Sequence, residues 1–282
     1  MLDRAAEAIR SAEALLITAG AGMGVDSGLP DFRGPEGFWN AYPPYRKLGL
    51  KFQDLADPRW FQSDPALAWG FYGHRMTLYR DTVPHAGFGV LKKWATRMRH
   101  GAFVFTSNVD GQFQKAGFPE DRLVECHGTL LLAQCTRHCG APPFPTANIH
   151  VDVDPESFRA RPPLPACPSC GALARPNVLM FDDADWEMSH TDAQRHRLFQ
   201  WREPLAGSGA RFVVVELGAG TSIPTVRGTG EAWARKASVT LVRINLREPS
   251  VPLPSHVGLP LGALVALTAI DERLADGTSP PQ

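Results

Sequence analysis

No sign of charge dominates these 282 residues: Lys and Arg together number 29, and so do Asp and Glu. That balance excludes the broad electrostatic attraction by which basic chains hold nucleic acid or acidic membranes, so neither partner is expected and recognition must be local. No apolar run reaches the length of a membrane span, and residues 1–13 lack the basic flank and apolar centre of a secretory signal. A cytoplasmic location is the expectation, and no internal repeat is visible. Cysteine is scarce, and five is an odd number, which argues against a secreted disulfide framework. Four of the five form two close pairs, Cys135/Cys139 and Cys167/Cys170, with Cys126 apart. Paired cysteines on tight knuckles present sulfurs in the tetrahedral arrangement that zinc favours, and four thiolates close the coordination shell, so a structural zinc site is the reading.

The chain is long enough to bury a large core in one elaborated domain or two linked ones. Short apolar runs read as buried strands at 14–17, 102–105, 123–125, 178–181, 212–215 and 239–244. Helical patterns fall at 3–13, 65–80, 87–100 and 259–275, the second opened by Asp64-Pro65 in the form of an N-cap followed by Pro at the first helical position. Strands alternating with helices predict an α/β fold with a doubly wound parallel sheet. Residues 35–64, rich in Pro and aromatics without a sustained period, read as a long ordered loop with short helical turns.

Polar residues gather just past several strand ends, where open α/β sheets place their ligands. The first run opens into Gly20-Ala21-Gly22-Met23-Gly24, a glycine turn able to bring backbone N–H groups near a phosphate. Thr106-Ser107-Asn108-Val109-Asp110-Gly111 follows the second run, Cys126-His127-Gly128 the third, Gly218-Ala219-Gly220-Thr221-Ser222 the fifth, and Asn245 the last. Histidine suits general-base work because its unperturbed pKa of about 6.5 lies near working pH. On the helix at 65–80, Tyr72 and Arg75 are three residues apart and share a face. A guanidinium there can clasp a carboxylate with two parallel hydrogen bonds, and a phenol can add a third.

GAGMGVDSGLPDFRG, residues 20–34, resembles the first signature of the sirtuins, the NAD-dependent protein lysine deacylases. The other motifs follow in that family's order over about residues 10–270: TSNVDG resembles TQNID, ECHGTL the segment with the catalytic histidine, GTS a phosphate-receiving turn, and INLREPS the INxEPS segment beside adenosine. The four cysteines fall where sirtuins carry a zinc ribbon, with one extra residue in the first pair. The resemblance implies a Rossmann-like NAD domain over 1–35, 84–131 and 173–282, and a small helical and zinc-ribbon domain over 36–83 and 132–172. It implies catalytic roles for His127, Asn108 and Asp110, with His127 taking a proton from the ribose diol after the acyl-lysine carbonyl oxygen has attacked the ribose anomeric carbon and released nicotinamide. It implies NAD contacts from Gly20, Ala21, Gly22, Asp31, Phe32, Arg33, Ser107, Asn108, Asp110, Gly218, Thr221, Ser222 and Asn245.

An acyl-lysine protein or peptide is the implied substrate, meeting Val178 and Phe181 in the peptide groove. Tyr72-x-x-Arg75 resembles the pair by which desuccinylase-type sirtuins read acidic acyl groups. The chain departs from the family at Ser107 (usually Gln), at Gln112-Phe113 (usually Leu-His), at Val178–Asp183 (usually VVWFGE), and after GTS, where Ile223–Arg227 replaces a V-x-P pattern. Asp31 stands where desuccinylases commonly have Thr. Two other readings stay open: an NAD-dependent ADP-ribosyltransferase or NAD glycohydrolase, and a non-catalytic NAD-sensing module.

Overall fold

The computed structural model describes residues 1–30 and 34–276. The chain opens with helix α1 (Leu2–Ser11) and strand β1 (Ala14–Ala19), followed after the glycine loop by four short helices, α2 (Gly34–Ala41), α3 (Pro43–Lys47), α4 (Phe52–Leu55) and α5 (Trp60–Ser63). Then come α6 (Pro65–Asp81), α7 (Ala86–Arg97), β2 (Ala102–Thr106), α8 (Gln112–Lys115), β3 (Leu123–Glu125), β4 (Gly128–Cys135), β5 (Phe144–Pro145) and β6 (Ala174–Val178). The remainder is α9 (Ser189–Arg202), β7 (Phe212–Leu217), α10 (Thr225–Ala234), β8 (Val239–Ile244), β9 (Val257–Leu259) and α11 (Ala263–Asp276).

Six parallel strands form one sheet in the order β3-β2-β1-β7-β8-β9, with Ile17 of β1 opposite Val104 of β2 and Val215 of β7. Every residue of β1 and β7 is buried because apolar layers cover both faces, which is why these strands open on apolar runs, 14–17 and 212–215, before buried Thr18 and Glu216. The order reverses direction between β1 and β7, the place where doubly wound sheets bind ligands. A second core packs α2 to α6 against the antiparallel sheet β5-β4-β6, with Phe38, Tyr42, Tyr45, Trp69 and Phe71 fully buried. Asp64 caps α6 as expected, its Oδ1 accepting from Leu67 N at 3.2 Å.

One expected strand is corrected. The run 178–181 does not continue the parallel sheet: the strand is Ala174–Val178, and it pairs antiparallel with β4 in the small sheet. Arg175 and Asn177 disguise it in sequence, because they are polar yet buried, Arg175 donating to Asp183 and Asn177 Nδ2 to Gln134 and the Glu187 carbonyl. Leu179 and Phe181 peel away, more than a third exposed, with Leu179 N bonded to His127 O and Phe181 N to Ala56 O. They are apolar because they face a cavity. Helix α9 escaped the sequence reading because only Thr191 and Gln194 on it are buried, leaving no apolar period to detect.

Candidate active site and metal centre

A cavity of about 660 Å³ opens at the crevice between β1 and β7 and extends beneath the segment 178–181 to α6. Its loop end is made of Gly20, Ala21, Ser107, Asn108 and Asp110 on one side and Gly218, Thr221 and Ser222 on the other. His127 lines the same cavity, as do Tyr72 and Arg75 of α6 and Val178 and Phe181 of the groove. Two of the expected contact residues stand behind the wall. Gly22 donates its amide to Gly218 O at 3.1 Å, and Asn245 is buried, its Nδ2 on Ala219 O at 2.8 Å and its Oδ1 accepting from the amides of Arg247 and Glu248. Asp31, Phe32 and Arg33 lie outside the described residues.

The two glycine loops meet backbone to backbone. A Cβ on Gly218 would sit 2.3 Å from Gly22 Cα, and Gly218 has a φ of 58°, so only glycine fits. Gly20 N bonds to Leu217 O at 2.9 Å, and Asn108 Nδ2 donates to Gly20 O at 3.1 Å, so the residues after β1, β2 and β7 are tied into one frame. The amides of Gly20 and Gly22 are thus spent on the partner loop, and the glycine pattern serves loop packing first. Across the crevice, Thr221 gives both its hydroxyl and its amide to the Glu248 carboxylate, at 2.6 and 3.1 Å.

Burial lowers the pKa of His127, and the positive charge of Arg195 lowers it further, so the imidazole is neutral at neutral pH. Asp110 is pushed up to about 6 by burial, partly offset by the Gln112 amide on its Oδ1 and by the positive charge of Arg75. Behind the site, burial raises Glu125 to about 7 and the Cys126 thiol to about 12, which leaves Cys126 an unreactive core side chain. At the helix end, the Tyr72 hydroxyl is fully buried without a hydrogen-bond partner among the described residues. Arg75 is 6% exposed, its guanidinium against the rings of Phe52, Phe71, Tyr72 and Tyr79. A buried donor left without a partner costs about 1–3 kcal/mol, so the Tyr72 hydroxyl is explained most simply by a ligand. Phe52, Ala56, Tyr79 and Glu248 also line the cavity and were not singled out in the sequence. Tyr79 was within reach of the same argument, since it lies one turn past Arg75 on the helix face that carries Tyr72.

The four paired cysteines converge, with their Sγ atoms all within 4.8 Å of one another, Cys135 to Cys170 at 3.5 Å and Cys139 to Cys167 at 3.8 Å. A tetrahedron of sulfurs about 2.3 Å from zinc has edges of about 3.8 Å, so the donor set and spacing fit zinc closely, and the extra residue in the first pair is absorbed by its knuckle. The cluster sits at the ends of β4 and β6, beyond the core that supports α6.

The sequence model of the Sir2 family matches residues 20–197. An NAD-dependent protein deacylase of Thermus thermophilus is 31% identical over 273 residues, covering 95% of this chain and 93% of the relative. The mitochondrial NAD-dependent protein deacylase sirtuin-5 of Canis lupus familiaris is 33% identical over 187 residues, 61% of this chain and 57% of the relative. Among solved structures, a Sir2 homologue in complex with NAD superimposes with a TM-score of 0.68 at 26% identity, covering 96% of this chain and 93% of that one. The signature loops, the crevice at the sheet's reversal and the four-cysteine cluster agree with these likenesses, and the chain belongs to the Sir2 family.

Proposed function

We propose that this protein is an NAD-dependent protein lysine deacylase that prefers acyl groups ending in a carboxylate, with free lysine, nicotinamide and O-acyl-ADP-ribose as products. The observation that carries the acyl preference is the buried, unpartnered Tyr72 hydroxyl beside the Arg75 guanidinium, both facing the cavity that also receives His127. An acyl carboxylate would satisfy the phenol and meet the guanidinium, whereas an acetyl group would leave the phenol unpaired. When bound, NAD supplies the ADP-ribose that accepts the acyl group. His127, neutral and without a side-chain hydrogen bond among the described residues, takes the proton from a ribose hydroxyl as general base. Asn108, held by Gly20 O, and Asp110 border the same end of the cavity and orient what binds there.

Incubation with NAD and peptides that differ only in carrying an acetyl-, succinyl- or unmodified lysine, followed by mass spectrometry, tests the reading. Faster conversion of the succinyl peptide with formation of O-succinyl-ADP-ribose is the expected result. ADP-ribosylated protein or bare ADP-ribose would instead assign a different acceptor, the alternative that the departures at Ser107, Asp182 and Ile223 motivate. Binding of NAD without turnover of any peptide would leave only the sensing module.

A further inference from the structure

Arg75 is held by a neighbour on its own helix. The Tyr79 phenol oxygen accepts from Arg75 Nε at 3.1 Å and from Nη2 at 2.8 Å, and the ring is 8% exposed at the cavity wall. Among the described residues, the rings of Phe52, Phe71, Tyr72 and Tyr79, with centroids 5.2 to 5.8 Å from the guanidinium carbon, hold its charge by their faces but set its rotation only weakly. The paired bonds to one oxygen fix that rotation. Burial keeps the phenol protonated, so it grips the guanidinium without neutralising it, as a carboxylate in its place would do.

Tyr79 is itself anchored from the segment that carries Asp110. Its carbonyl oxygen accepts from Gln112 Nε2 at 3.3 Å and from Lys115 Nζ at 3.2 Å, and Lys115 also reaches the carbonyls of Arg80 and Thr82, closing the last turn of α6. Gln112 occupies one of the positions at which this chain departs from the usual Leu-His.

We infer that Tyr79 is a positioning residue for acyl selection: by holding the Nε and Nη2 edge of Arg75 it fixes the direction in which the guanidinium meets an acyl carboxylate beside Tyr72. The inference rests on the acidic-acyl reading above and adds to it the residue that aims the arginine, together with the Gln112 contact that holds that residue in place.

The test measures kcat and KM of the zinc-loaded full chain on succinyl- and acetyl-lysine peptides of one sequence, for wild type, Tyr79→Phe, Arg75→Met and the double variant. Tyr79→Phe removes two bonds to a charged group, so KM for the succinyl peptide should rise about tenfold, with little change in kcat and a much smaller rise for the acetyl peptide. In the Arg75→Met background the second substitution should add nothing, because the group it aims is gone. Equal changes for both acyl groups, or additive effects in the double variant, overturn the inference. If Arg75→Met is selective but Tyr79→Phe is silent, Tyr79 has no such role and the acyl reading stands. Equal loss for both peptides in Arg75→Met overturns the acyl reading and this inference with it. ADP-ribose affinity reports folding. Should Tyr79→Phe fail that control, Gln112→Leu decides, with a rise of about threefold expected for the succinyl peptide and no shift counting against the inference.

Discussion

The two ends of the cavity are built in opposite ways. The loop end is backbone: Gly22 bonded to Gly218, Gly20 to Leu217, and Asn108 reaching back to Gly20. The helix end is side chain: Tyr72, Arg75 and Tyr79 project from α6 among buried rings, and their mutual geometry depends on how α6 packs. A backbone frame tolerates almost no substitution where two chains touch, so it leaves a dense motif. A side-chain pocket keeps its shape under many sequences and can be retuned one residue at a time.

The largest expected effect breaks neither end. His127→Ala should lower kcat by about 10²- to 10⁴-fold, the range for loss of a general base, while ADP-ribose and peptide affinities stay near wild type. Retention of most of the turnover would remove His127 from the chemistry.

Zinc removal should separate the ends. The cysteine cluster continues β4 and β6, whose Leu130, Ala133, Ala174 and Val178 lie in the core beneath α6, whereas the loop frame rests on the parallel sheet. Chelation should therefore unfold the small module, lower the melting temperature and abolish peptide binding before ADP-ribose binding is lost. Full activity in a demonstrably zinc-free protein would contradict this.

Gly218→Ala acts on the opposite end. The added Cβ meets Gly22 Cα at 2.3 Å on a residue with positive φ, a strain of about 1–3 kcal/mol before the clash is counted, so ADP-ribose affinity should fall at least about tenfold. The succinyl-to-acetyl ratio should not move. A changed ratio would mean that the two ends are not independent.

The smallest expected effect is in the pH profile. His127 must be neutral to act, and its pKa lies below the usual 6.5, so kcat/KM should rise with pH through a limb below 6.5 and then level off. Asp110, raised to about 6, titrates in the same region, and Asp110→Asn isolates the histidine limb. Removing the positive charge in Arg195→Gln should move that limb upward, because Arg195 disfavours the imidazolium; a downward shift would refute the assignment.

Much of the fold and of the loop end was legible in the sequence. Strands buried on both faces are mostly apolar, with Thr18, Glu216 and Arg243 among the buried exceptions, and the residues past their ends could be named from their order along the chain. What was not legible followed from polar residues out of their usual place: buried Arg175 and Asn177 hid β6, and the polar surface of α9 hid a helix. The run 178–181 misled for the converse reason, since apolar side chains facing a cavity have the same composition as those facing a core.

The sequence by itself determined the sheet's main strands, through their apolar runs, and the glycine frame, the pairing of the cysteines and the candidate base His127, each of which depends on one residue type at its spot. Only the tertiary structure decided that Gly22 and Asn245 stand behind the wall, that 178–181 is a groove, and that Gln112 and Lys115 hold the carbonyl of Tyr79. Those facts depend on which donors and acceptors meet once distant segments pack, and hydrogen bonds between residues that linear spacing does not bring together leave no pattern along a chain.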